Sequence, residues 1–103
     1  MIKVNIKTVN DKIESIKISG HAMYDVHGKD IVCSAVSSIT ITTVNAILKL
    51  DSKAIDYVQD DSLTINIKKH DEVTLVLIQN MIDLLQELEK DYKKNIKINR
   101  EVS

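Results

Sequence analysis

The chain contains no proline and only two glycines, and both glycines fall in one stretch, Gly20-His21-Ala22-Met23-Tyr24-Asp25-Val26-His27-Gly28. Glycine is used where the backbone needs positive φ or close approach, and proline interrupts helices and strand ladders. Both permissive residues therefore serve a single loop, and that loop holds two of the three histidines. The plainer alternative is that the glycines only end a strand and start a helix. Elsewhere, turns fall to short polar pairs such as Asn10-Asp11 and Asp60-Asp61.

Either side of the loop, the pattern is regular. Residues 2–8 alternate, with Ile2, Val4 and Ile6 on one side and Lys3, Asn5 and Lys7 on the other, which is the period of a half-buried strand. Residues 13–19 form a second strand with Ile16 and Ile18 inward, paired with the first as a hairpin. Ile13 is out of phase with them, so a bulge or a late strand start is expected. Residues 31–50 are rich in β-branched side chains, which locally favour strand. The segment is too long without a turn residue for an ordinary strand. Ile31, Ala35, Ile39, Ala46 and Leu50 mostly follow helical spacing, as do Val32, Val36, Ile39, Thr43 and Ile47, and Asp30 suits an N-cap. A buried helix is expected.

Strands at 54–58 and 63–68, a second helix at 72–93 and a last strand at 95–100 complete the order ββαββαβ. His70-Asp71 reads as a loop before the second helix. An alternating sheet with one polar face and two helices implies an α+β two-layer sandwich, mostly antiparallel, with both helices on one face. A length of 103 residues suits one domain spanning the chain.

Composition narrows the function. No apolar run approaches the roughly 20 residues of a membrane span, and the N-terminus lacks the apolar block of a secretion signal. A cytoplasmic location is expected, with no membrane partner. The lone cysteine fits this: it excludes an internal disulfide and leaves a thiol to be explained. The net charge is -1, the lysines are scattered, and there are three tyrosines but neither Phe nor Trp. Direct nucleic-acid binding is disfavoured on these grounds.

Cys33 is the first candidate for chemistry. On the helix reading it is the third helical residue, where free backbone N–H groups and the positive end of the helix favour a thiolate and could hold an oxyanion. Asp30 opposes thiolate formation, and the plain alternative for Cys33 is a small buried hydrophobe. His21, just past the second strand, would be the base if that strand ends beside the helix start. Otherwise it is an exposed loop histidine. Asp30 either orients His21 or only caps the helix. Ser37, four residues after Cys33, shares its helix face and either donates to sulfur or substrate or bonds its own helix carbonyl. His27 is most simply exposed. A metal site from His21, His27 and Cys33 lacks a fourth ligand and close ligand spacing, and no cofactor is expected.

Gly20-His21-Ala22, the loop to Gly28, and then Gly28-Lys29-Asp30-Ile31-Val32-Cys33-Ser34-Ala35-Val36-Ser37 resemble the signature of the ribosomal-processing cysteine proteases of bacteria. Those proteins carry Gly-His-Ala, a short loop and Gly-x-Asp-Ile-Val-Cys-Ala-Ala-Val-Ser. This chain departs from the pattern at Ser34, where alanine is usual, and at Met23, where glycine is common. The resemblance implies an endopeptidase that removes a short N-terminal extension from the twenty-seventh large-subunit ribosomal protein. It also implies cleavage after a pair of phenylalanines and a homodimer. Cys33 and His21 would be catalytic, Asp30 and Ser37 supporting, and Gly20, Met23, Tyr24 and Gly28 would belong to the substrate loop. An acidic surface around Asp56, Asp60 and Asp61 would attract a basic substrate, unless it is simply a solvated turn. Two other readings fit the same residues: a non-enzymatic partner of the ribosome or its assembly factors, and a thiol redox sensor.

Overall fold

The computed structural model describes residues 1–20 and 31–103. The order is β1 (Ile2–Val9), β2 (Lys12–Ser19), α1 (Ile31–Leu50), β3 (Ile55–Gln59), β4 (Leu63–Ile67), α2 (Glu72–Asp91) and β5 (Ile96–Val102). The strands form one sheet in the order β3-β4-β2-β1-β5. Among the described residues, β1 and β5 pair in parallel and the other pairs are antiparallel. Both helices cover the face carrying Ile2, Val4, Ile6, Ile16, Ile18 and Ile65, giving the expected α+β two-layer sandwich. The opposite face is mostly polar, with Lys, Asn, Ser and Thr alongside Asp56, Val58 and Glu101.

The β1–β2 hairpin turns at Asn10 and Asp11, with φ of 52° and 64°. A two-residue loop with both φ values positive matches the right-handed twist of its strands, and Asn and Asp tolerate that region better than other non-glycine residues. The register runs Ile6↔Ile16 and Lys7↔Ser15, then shifts to Thr8↔Ile13. Glu14 is the extra residue of a β-bulge, which returns Ile13 to the core side. His70 sits against this bulge: its Nε2 lies 3.1 Å from the Ile13 carbonyl and 3.4 Å from the Glu14 carboxylate. A carbonyl only accepts, so Nε2 carries the proton.

Asp71 is more than loop. It is the N-cap of α2, accepting from the Thr74 N–H at 2.9 Å, and that hydrogen bond holds its carboxyl below the ordinary value. α2 stops at Asp91 rather than 93, because Tyr92 leaves helical geometry (φ -133°, ψ 54°) while its N–H still donates to Leu88. Its Glu89 carboxylate accepts from Ile98 N–H at 2.7 Å, covering a donor on edge strand β5. Ala54 lies just before β3 and takes both the Lys68 and Lys69 N–H groups on its carbonyl, at 2.8 and 3.0 Å.

α1 corrects two expectations. Its inner side is Val32, Cys33, Val36, Thr40, Thr43, Val44 and Ile47, whereas Ile31 and Leu50, at the ends of the other proposed stripe, are 68% and 67% exposed. It is also long and apolar enough to cross a membrane by length and composition, contrary to the expectation that no segment approaches this. Here that apolarity is used against the sheet and α2.

Candidate active site

Cys33 is the third residue of α1, in its first turn, and only 7% exposed. Its flanking neighbours on the inner side, Val32 and Val36, are buried in the core, which fixes how this end of the helix is rotated. The first turn contains no acidic residue. Backbone N–H groups in a first turn have no acceptor within the helix, and the aligned peptide dipoles make this end positive. A helix start favours the thiolate, the nucleophilic form, and burial among apolar side chains opposes it. The same dipoles favour negative charge on a carbonyl oxygen under attack.

Ser37 is half-buried and one turn on from Cys33. Residues four apart on a helix lie about 5–6 Å apart at Cβ, so Ser37 flanks the thiol on the same face. Deeper along that side, the fully buried Thr40 hydroxyl has no hydrogen-bond partner among the described residues, while Thr43 donates to the Ile39 carbonyl at 2.9 Å.

Gly20 closes β2 with φ of 66°. A Cβ there would run into the Met1 carbonyl oxygen, with the Met1 carbonyl carbon 3.3 Å away. The position thus demands glycine twice over, through its dihedral and through close backbone approach. Gly20→Ala is expected to destabilise the fold by about 1–3 kcal/mol. Thermal unfolding checks this, and an unchanged midpoint would show that the β2 exit is not held as described.

His21, Met23, Tyr24, Gly28 and Asp30, with His27, lie outside the described residues. The expected acidic surface is largely accounted for locally. Asp56 lies 3.3 Å from the Lys68 ammonium, and the Asp60 carboxylate accepts from Ser62 N–H at 3.1 Å within its own turn. A cavity of about 290 Å³ between the end of α1 and the start of α2 is lined by Ile47, Leu50, Val73 and Leu77 among others. Ile47 lies about 20 Å along the helix axis from Cys33, so this cavity is separate from the thiol.

Comparison with known proteins bears on this geometry. The family model described as Cysteine protease Prp matches residues 1–97. The ribosomal processing cysteine protease Prp of Staphylococcus aureus is 38% identical, the match covering 96% of this chain and 98% of that protein. The protein of the same name from Bacillus subtilis is 31% identical over 95% of this chain and 96% of its own length. A crystal structure of the essential ribosomal processing protease Prp from S. aureus with a substrate peptide superposes with a TM-score of 0.86 at 29% identity, covering 98% of this chain and all of that one (100%). A second S. aureus structure, with a covalently linked product peptide, gives 0.86 at 34% identity over 98% and 100% of the two chains. The family match spans nearly the whole sequence, both relatives are covered almost end to end, and the ββαββαβ sandwich is shared. The chain belongs to the Prp family of cysteine proteases.

Proposed function

We propose that Cys33 is the nucleophile and His21 the general base of an endopeptidase that removes an N-terminal extension from a large-subunit ribosomal protein. The observation that carries the proposal is that Cys33 is the chain's one cysteine and stands in the first turn of a 20-residue helix. A cysteine protease needs a thiolate, and no other residue of this chain supplies one. The names of the S. aureus and B. subtilis relatives support the ribosomal setting.

The steps follow from the groups. The His21 imidazole takes the Cys33 proton, and the sulfur attacks the carbonyl carbon of the scissile peptide bond. Amides of the first turn of α1 receive the negative oxygen. The imidazolium gives its proton to the leaving amine, and water, deprotonated by the same imidazole, hydrolyses the thioester and frees Cys33. Asp30 orients His21 or caps the helix, and Ser37 donates to the sulfur or the substrate. Gly20 and Gly28 frame the substrate loop, in which Met23 and Tyr24 supply an apolar subsite for phenylalanine. The finer reading is cleavage of the twenty-seventh large-subunit protein after a Phe-Phe pair, by a cytoplasmic homodimer.

A peptide carrying such an extension tests this by mass spectrometry. Cleavage is expected after the Phe-Phe pair and should be slower by at least about tenfold when the pair is Ala-Ala, since an apolar subsite then loses its occupant. Equal cleavage of both peptides would remove the Phe-Phe reading, and cleavage of neither would remove the substrate assignment.

A further inference from the structure

Four lysines that look scattered along the chain share one surface. Alternation in β1, β2 and β5 sends Lys3, Lys7, Lys17 and Lys97 to the sheet face that no helix covers, and all four are exposed. The register packs them closely: Lys3 stands directly beside Lys97, and Lys17 beside Asn5. Their companions on this face are uncharged hydrogen-bonding groups, including Asn5, whose side chain accepts from Asn99 at 3.3 Å. None of the four lysines is in an ion pair, since the salt bridges among the described residues are Lys68–Asp56, Lys69–Asp51 and His70–Glu14. Lys68–Asp56 neutralises the β3–β4 edge, Glu101 stands opposite Lys7, and Glu14 lines the same surface hollow as Lys7 and Ser15, so the basic character is strongest around Lys3, Lys17 and Lys97.

Like charges placed directly opposite in a sheet cost stability, and a surface that only has to be soluble interleaves its signs. On α2 and in the turns acids are mixed with lysines such as Lys53, Lys90, Lys93 and Lys94, whereas on the open face of β1, β2 and β5 lysine predominates. An extended face of unpaired ammonium groups set among Asn, Ser and Thr complements a phosphate backbone, where lysine supplies point charges and neutral donors reach phosphate and sugar oxygens. Among the described residues it offers no aromatic side chain on which bases would stack, so contacts of this kind read charge and not sequence.

We infer that the open face of the sheet is a sequence-independent RNA-binding surface that holds the enzyme on ribosomal RNA while the helix layer on the other side acts on the protein substrate. The choice of RNA over another polyanion rests on the ribosomal-processing reading above. Affinity from so few phosphate contacts is modest and falls steeply with salt.

The test is fluorescence anisotropy of the full chain with a labelled single-stranded RNA of about 16 nucleotides, between about 50 and 200 mM salt. Wild type is expected to bind. Lys3→Gln/Lys17→Gln/Lys97→Gln should bind at least about tenfold more weakly at the lower salt, with a log–log salt slope shallower by about 2. The matched control Lys90→Gln/Lys93→Gln/Lys94→Gln should bind as wild type does. Lys3→Arg/Lys17→Arg/Lys97→Arg, which keeps the charge, should retain binding and so separates charge loss from misfolding. Absence of wild-type binding, or an equal loss in the control, overturns the inference. So does lysine-dependent binding to phosphatidylserine vesicles with none to RNA, which would make the face a membrane surface. Short-peptide cleavage measured on the same preparations keeps the two readings apart. A protein that cleaves but does not bind RNA loses only this inference, and one that binds RNA but does not cleave loses only the protease assignment.

Discussion

Cys33→Ser is expected to reduce peptide cleavage by about four orders of magnitude or more, the scale seen when a covalent nucleophile is removed from a hydrolase. A serine hydroxyl ionises far above the thiol range, so neither an imidazole nor the positive end of α1 brings it to a useful anionic fraction. The substitution replaces one atom at a buried position and puts a more polar group beside Val32 and Val36. A small loss of stability is expected, so circular dichroism at the assay temperature must accompany the kinetics. Cys33→Ala gives the same loss of cleavage without adding a buried hydroxyl. Wild-type cleavage by either variant would end the thiol mechanism.

Ile16→Ala is expected to cost about 3–4 kcal/mol, a large share of what a domain of this size has to spare. Ile16 is completely buried in β2, the central strand, and stands directly between Ile6 on β1 and Ile65 on β4, which are equally buried. Truncation leaves a cavity that two flanking strands and the helix layer can collapse into only partly. Ile16→Val should cost about 1 kcal/mol. Lys17→Ala, one residue away but on the open face, should stay within about 0.5 kcal/mol. Urea unfolding measures all three. A cost for Ile16→Ala as small as that for Lys17→Ala would mean that the helices do not pack on this side of the sheet.

The two faces of that strand were legible before any coordinates, because alternation is a local property: successive strand side chains point to opposite sides whatever the partner. The same holds for the Asn10-Asp11 turn and for the apolar spacing of α2. The bulge was half-legible. Ile13 falls out of phase, but the identity of the extra residue, Glu14, emerges only from the register against Lys7 and Thr8. His70 gave no signal at all, since its partner Ile13 is 57 residues away in sequence. The proposed catalytic residues form a motif running from Gly20-His21 to Cys33 and Ser37; His21 lies outside the described residues, and the structure places Cys33 and Ser37 on one face of α1.

What the sequence determined by itself is therefore the set of elements, their inward faces and the chemical groups at the Gly20–Ser37 stretch. Each of these depends on neighbours a few residues apart and on backbone sterics. Tertiary structure alone decided that β1 lies between β2 and a parallel β5 and that four dispersed lysines share one surface, and it supplies the burial by which residues 31–50 are helical, as their spacing predicts, against their β-branched propensity. These outcomes depend on contacts between distant segments, where burial of α1 on the sheet outweighs a propensity term of a few tenths of a kcal/mol per residue.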